Sequence, residues 1–172
     1  MHQFLQYAWF DGKCIPFNEA KISIATHALH YGTAAFGGMR AIPNPKNKDE
    51  FLLFRTEKHI KRLCQSAKLL LTDINEDYIF NSLKQLIKKN NPDKPIYIRP
   101  FIYTSDLGIA PRLHNIETNF FIYCIELGDY LSPDGVTCRM SSWTRQEDRS
   151  LPLRGKISCL LYTSDAADDV LC

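Results

Sequence analysis

The chain has 172 residues, of which 45% are hydrophobic and 23% charged. These are the proportions of an ordinary globular domain. The formal net charge is +2, and it becomes +5, from 21 basic and 16 acidic residues, when the three acids near the C-terminus (Asp165, Asp168 and Asp169) are left out. So small and scattered a charge argues against a nucleic-acid partner.

The cysteines and the N-terminus bear on the cellular compartment. Cys14, Cys64, Cys124 and Cys138 lie far apart and form no C-x-x-C pair, so we expect reduced thiols rather than a metal site or a disulfide framework. The N-terminal residues lack the basic and apolar regions of a signal peptide, and no apolar run is long enough to span a bilayer. We therefore expect a cytoplasmic protein without a membrane partner.

The first third of the chain predicts strands. Asp11-Gly12 is a favoured two-residue turn between apolar flanks and predicts a hairpin over residues 7–16. Alternation of apolar and polar residues predicts a strand over residues 21–26. Residues 43–49 are polar, with two prolines, and predict an exposed loop, whereas residues 51–54 predict a short buried strand.

Two helices and further strands follow. Thr56 is the predicted N-cap of a helix that reaches Leu70 or Leu71, and a second helix is expected from about Glu76 to Lys89. Strands are expected over residues 95–103, 119–126 and 136–143. The order of strands, two helices and strands again predicts an α+β fold.

The strand at residues 95–103 carries two notable features. Tyr97, Arg99, Phe101 and Tyr103 fall on one face because side chains alternate along a strand. Pro100 cannot donate a backbone hydrogen bond, so it predicts an edge strand or a bulge. Taken alone, Tyr97 and Arg99 are typical of cross-strand pairing at a surface.

Other candidate residues also have ordinary interpretations. Lys156 follows a turn that contains proline and glycine, which is typical of a solvated lysine. Arg62 stands four residues after Lys58, as on a solvated helix face. His27 and His30 have a spacing that suits zinc on a helix, but no third ligand is evident.

Two motifs read together indicate a family. They are His27-Ala-Leu-His-Tyr-Gly-Thr33 and the set formed by Ser141-Ser-Trp143, Arg145, Pro152 and Lys156. At this spacing, residues 5–158 resemble the branched-chain aminotransferases, which are pyridoxal-phosphate enzymes of fold type IV. The resemblance implies that the Lys156 amine forms a Schiff base with pyridoxal 5'-phosphate and then shuttles the substrate proton. It also implies a strand-and-turn at the histidine motif, structural histidines and no metal.

The resemblance assigns further roles. Arg62, rather than Arg55 or Lys61, would anchor the cofactor phosphate, since a guanidinium binds phosphate oxygens in pairs. Tyr97 would hold the substrate α-carboxylate, and Arg99 the side-chain carboxylate of glutamate or 2-oxoglutarate. The remaining substrate-binding positions are matched by Tyr31, Phe36, Arg40 and Tyr130.

The implied reaction is transfer of an amino group from leucine, isoleucine or valine to 2-oxoglutarate, in a homodimer when full length. The implied domains are a small α+β domain at residues 1–128, a linker at 129–135 and the start of the large cofactor domain at 136–158. Residues 159–172 read like a translated sequencing adapter, and we expect them to be foreign to the protein. The remaining fragment is then expected to be inactive and poorly soluble.

The chain departs from the family pattern at two positions. Gly37 stands where the family commonly has glutamate, and Leu161 where it has a tyrosine near the cofactor ring. Two alternatives stay open: a D-amino-acid transaminase or aminodeoxychorismate lyase with the same cofactor, and a non-catalytic α+β module that binds a phosphorylated ligand or a protein through Arg62.

Overall fold

A computed structural model describes residues 3–126, 128, 134–140, 142, 147–150 and 152–163; at residues 48, 49 and 161–163 it describes the backbone alone. The strands are β1 (Tyr7–Phe10), β2 (Lys13–Pro16), β3 (Ala34–Phe36), β4 (Met39–Asn44), β5 (Asn47–Leu53), β6 (Ile96–Thr104) and β7 (Thr118–Glu126). The helices are α1 (His27–Tyr31), α2 (Thr56–Lys68) and α3 (Glu76–Asn90), with 3₁₀ turns at Phe17–Glu19 and Ser158–Thr163. The predicted α+β class is confirmed.

The seven strands form one sheet with antiparallel pairing throughout. The order is β2-β1-β7-β6-β4-β5, and β3 lies in line with β4 along the same edge of β6. The predicted hairpin of β1 and β2 is confirmed. Both turn residues, Asp11 and Gly12, have positive φ, as a type I′ turn requires.

Helices α2 and α3 cover one face of the sheet. Strand alternation in β6 sends its isoleucines toward these helices and its aromatic residues to the opposite face. The fully or nearly buried core residues include Ile60, Leu63, Ile79, Leu83, Leu86, Ile96, Ile98, Ile102 and Ile122. Burial of each such side chain stabilises the fold by roughly 1.5–3 kcal/mol.

The opposite face of the sheet is aromatic. Phe101 of β6 stacks on Phe121 of β7, with ring centroids 4.8 Å apart, and on Phe36 of β3 at 6.0 Å. Tyr103 and Tyr123 extend this row along β6 and β7. The predicted face of β6 is therefore confirmed, and it lies away from the two helices.

The predicted edge position of Pro100 is wrong. Pro100 lies in β6, which pairs with β7 on one side and with β3 and β4 on the other. Its carbonyl accepts the Gly37 N–H at 3.0 Å, so its backbone faces the break between β3 and β4. The missing proline donor is tolerated because no strand residue lies opposite it there.

Three other local predictions are wrong. Residues 21–26 form no strand; in this segment only Thr26 makes a bridge, to Leu107. The histidine motif forms the short helix α1 and not a strand. Residues 43–49 are not a loop, because most of them belong to the ends of β4 and β5, joined by a tight turn at Pro45 and Lys46. The Lys46 N–H donates to Asn44 Oδ1 at 3.0 Å in this turn.

The helix starts and the last predicted strands also need correction. Arg55, with φ of 50°, is the N-cap of α2, and the buried Thr56 Oγ1 has no hydrogen-bond partner within the described structure. Residues 51–53 do lie in strand β5, but the predicted burial is wrong, since Leu52 and Phe54 are exposed and the other two residues are only partly buried. In the described part of residues 136–143, namely 136–140 and 142, no strand forms. Among the described helices, none has the length and apolar character needed to cross a bilayer.

Candidate active site

The segment that carries Lys156 lies along β3. Ile157 forms an antiparallel bridge with Ala35, and both side chains are buried in the core. The Phe36 N–H donates to the Lys156 carbonyl at 3.1 Å. Ile157 points into the core, whereas the neighbouring Lys156 emerges on the aromatic face beside Phe36. Its Nζ lies 5.0 Å from the Phe36 ring centroid.

A second cation lies against the same ring. The Arg99 guanidinium carbon is 4.7 Å from the Phe36 centroid and 5.2 Å from that of Tyr97. The negative faces of aromatic rings attract such cations. The buried Arg99 Nε has no hydrogen-bond partner among the described residues. Two cations without a described carboxylate partner therefore converge on one ring, an arrangement that suits an anionic ligand.

Arg62 connects to the lysine through the helix. Ser66 lies one turn later on α2, and its hydroxyl donates to the Arg62 carbonyl at 2.9 Å. The same hydroxyl oxygen accepts the Lys156 N–H at 3.0 Å. The structure therefore brings the backbones of Arg62 and Lys156 to one shared side chain. Sequence reasoning overlooked Ser66: its position four residues after Arg62 indicates a shared helix face, but nothing in the sequence linked it to Lys156.

Arg62 lines an open cleft of about 320 Å³ between α2 and the lysine segment; its other lining residues are Gln65, Ser66, Leu69, Arg154 and Gly155. Arg154 pairs with Asp148 at 2.8 Å, whereas Arg62 makes no ion pair within the described residues. Burial lowers the pKa of the neighbouring His59, and the Arg62 charge lowers it further. The cleft is thus cationic, with one arginine available to an anion.

Two glycines allow close packing at this site. A Cβ built on Gly38 would lie 2.9 Å from two ring carbons of Tyr97 and nearer still to its hydroxyl. A Cβ on Gly155 would lie 2.6 Å from Leu69 Cδ1. A larger residue at either position would displace Tyr97 or the segment before Lys156.

The remaining predicted site residues are less closely connected. Arg40 is the β4 partner of Tyr97 in the sheet register, so the two share a face, and Arg40 is exposed. Tyr31 packs on His27 with ring centroids 4.5 Å apart. Tyr130 lies outside the described residues. Of the predicted substrate-binding residues, Phe36, Tyr97 and Arg99 therefore form the cluster beside Lys156.

The motif histidines have structural roles. His27 is buried, and its Nε2 donates to the Ala110 carbonyl at 2.9 Å. Nδ1 then carries a single lone pair, which faces the hydroxyl oxygens of Thr33 and Thr104 at 2.9 and 3.0 Å. His30 Nε2 contacts the Ile24 carbonyl at 2.8 Å. No group of three or more possible metal ligands occurs among the described residues. The hydrogen bonds of His27 and His30 agree with the predicted structural use of these histidines.

Comparison with known proteins places this geometry in a family. The model of the family described as amino-transferase class IV matches residues 35–166, and the chain belongs to this family. It is 59% identical over 167 residues to a probable branched-chain-amino-acid aminotransferase of Synechocystis sp., covering 97% of this chain and 55% of that protein. It is 31% identical to the branched-chain-amino-acid aminotransferase of Escherichia coli K12, covering 93% of this chain and 54% of the relative.

Solved structures agree with this assignment. The branched-chain aminotransferase of Thermoproteus uzoniensis with norvaline superposes with a TM-score of 0.84 at 27% identity, over 92% of this chain and 53% of that one. The branched-chain amino acid aminotransferase of Escherichia coli superposes with a TM-score of 0.81 at 30% identity, over 92% and 53%. The chain thus spans about half the length of the relatives that it matches.

Proposed function

We propose that the protein to which this chain belongs transfers the amino group of branched-chain L-amino acids to 2-oxoglutarate, with pyridoxal 5'-phosphate bound at Lys156. One observation carries the proposal: the Lys156 backbone is held by Ser66 and by Phe36, while its amine projects onto the Phe36 ring beside Arg99. The class IV family and its branched-chain relatives support the reaction.

The residues present fit this cofactor. Its phosphate needs a cation near the lysine, and Arg62 offers a guanidinium without an ion pair among the described residues, on a cleft that reaches Gly155. Its aldehyde needs an amine that is not committed elsewhere, and Lys156 Nζ has only the ring contact in the described structure. When bound, pyridoxal phosphate supplies an aldehyde that bonds covalently to amino groups and a ring that accepts electrons.

The substrate would lie on the aromatic face. Tyr97 and Arg99 offer a hydroxyl and a guanidinium to carboxylates, and the Phe36 ring offers an apolar surface to a branched side chain. Tyr31, Arg40 and Tyr130 are proposed at the rim. An apolar surface bordered by Arg99 suits an enzyme that must accept both leucine and glutamate. The Lys156 amine would take the proton from the substrate α-carbon and return it.

The assembly and location are also proposals. Apolar side chains in the segment before α1 and in the loop after β6 are exposed, with Ile24 at 86% and Ile109 at 91%, which supports a homodimer with a second copy. The five described cysteines are free thiols, which supports the cytoplasm. We also propose the domain limits expected from the sequence: a small domain at residues 1–128, a linker at 129–135 and the start of the large cofactor domain at 136–158.

The test is covalent labelling with pyridoxal phosphate and borohydride, followed by peptide mass spectrometry. We expect label on Lys156 in preference to Lys94, an exposed lysine that pairs with Glu126. Lys156→Ala should abolish the preferred label, and Lys94→Ala should leave it intact. Equal labelling of both lysines would contradict the cofactor assignment.

The whole protein then decides the substrate. Purified full-length enzyme should convert leucine with 2-oxoglutarate, and Arg99→Ala should raise KM for 2-oxoglutarate more than for leucine. Turnover of D-amino acids, or release of pyruvate without transamination, would favour the alternative enzymes. Lack of any pyridoxal absorbance in the whole protein would favour the non-catalytic module.

A further inference from the structure

Ser66 has contacts that an ordinary helix serine lacks. It is buried at 2% exposure in the middle of α2. Its hydroxyl proton is donated to the Arg62 carbonyl at 2.9 Å, and its oxygen accepts the Lys156 N–H at 3.0 Å across 90 residues of chain. A hydroxyl has one donor and two acceptor sites, so both bonds form together.

We propose that Ser66 is a positioning residue that holds Lys156 in register with Arg62. This inference rests on the proposed function and extends it. The phosphate end of the cofactor would be held by α2 and the aldehyde end by the lysine segment, so the spacing of these two elements determines whether one molecule reaches both. Ser66 is hydrogen-bonded both to α2, at the Arg62 carbonyl, and to the lysine segment, at the Lys156 N–H.

The other contacts of the lysine segment do not specify this register. The Phe36 N–H to Lys156 carbonyl bond and the Ala35–Ile157 bridge tie the segment to β3. Ile157 packs by burial, which is not directional. The hydroxyl of Ser66 therefore supplies a directional bond from the segment to the helix that carries Arg62.

The chain contains a matched control. Ser82 of α3 is buried at 1% exposure, and its hydroxyl donates to the Tyr78 carbonyl at 2.8 Å, four residues earlier. Ser66→Ala and Ser82→Ala therefore remove the same kind of helix bond from equally buried sites. Only the first also removes the acceptor of the Lys156 N–H.

The first measurement is the hydrogen-exchange rate of the Lys156 amide in the 172-residue chain, by mass spectrometry with residue-level fragmentation, which works in dilute solution. Ser66→Ala should accelerate it roughly five- to tenfold, which corresponds to loss of one ordinary hydrogen bond. Ser82→Ala should leave the rate unchanged, and Ser66→Thr, which keeps a hydroxyl, should restore it. If Ser66→Ala does not fold, Ser66→Cys replaces it, since a cysteine side chain has nearly the shape of serine but its sulfur accepts hydrogen bonds more weakly than a hydroxyl oxygen.

The second measurement is the ratio of borohydride-trapped pyridoxal phosphate on Lys156 to that on Lys94. Ser66→Ala should lower this ratio about fivefold, in line with the loss of one hydrogen bond. Ser82→Ala and Ser66→Thr should give a ratio close to that of the unmodified chain. An unchanged exchange rate in Ser66→Ala, or an equal effect of Ser82→Ala, would overturn the inference. No preference for Lys156 in the unmodified chain would instead refute the proposed function, and amide exchange would still decide whether Ser66 holds the segment.

Discussion

Truncation of Ile157 tests whether the lysine segment belongs to the cooperative core. Ile157 is 3% exposed, and its Cδ1 would lie 3.1 Å from a Cβ on Gly155, so its surroundings are tight. Ile157→Ala removes three carbons, worth about 2.4 kcal/mol of transfer free energy at roughly 0.8 kcal/mol each. The cavity left behind brings the expected loss in unfolding free energy to about 3 kcal/mol.

Urea unfolding followed by the fluorescence of Trp9, which is buried in the same core, measures this loss. For a slope of about 2 kcal/mol per molar urea, the midpoint should fall by about 1.5 M with little change in slope. Ile24→Ala is the control, since Ile24 is 86% exposed, and its midpoint should stay within about 0.3 M. If Ile157→Ala behaves like Ile24→Ala, the segment that carries Lys156 does not unfold with the core.

Three other outcomes can be measured by thermal or urea unfolding. Asn75→Ala should lower the unfolding free energy by about 1 kcal/mol, because the Asn75 side chain caps α3 by accepting the Tyr78 N–H. Thr56→Val should be neutral or stabilising, because Thr56 Oγ1 is buried without a described partner; a clear loss would mean that a partner exists. Burial, followed by the charge of Glu76, raises the pKa of the Cys64 thiol from 9.0 to about 11. The unfolded thiol therefore ionises first, stability should fall as the pH rises from 9 toward 11, and Cys64→Ala should lessen that slope.

Local patterns predicted much of the fold. The Asp11-Gly12 turn, helix α3 and the two faces of β6 all depend on interactions within a few residues, so alternation and turn chemistry were sufficient. The strand predicted at residues 21–26 failed for a different reason. Whether an alternating segment becomes a strand depends on a partner strand from elsewhere in the chain, and in the described structure only Thr26 of this segment makes a bridge.

The candidate site shows the same division between features that the sequence predicted and features that depend on the fold. The identities of Lys156, Arg62, Tyr97 and Arg99 followed from motifs in the sequence. Their arrangement did not, because Lys156 lies far beyond Arg62 in the chain and meets it through Ser66. The sequence likewise carried no indication that one phenylalanine ring would receive both Lys156 and Arg99.

The α+β class, the family to which the chain belongs and the residue types available for chemistry could all be read from the amino-acid order, since they depend on local periodicity and on spacing along the chain. Three features needed the folded chain: Pro100 lies in a central strand opposite a break, the segment after Gly155 packs on β3, and Ser66 binds the backbone of Lys156. These features join residues far apart in the chain, and they form only when burial of the shared core brings the segments together.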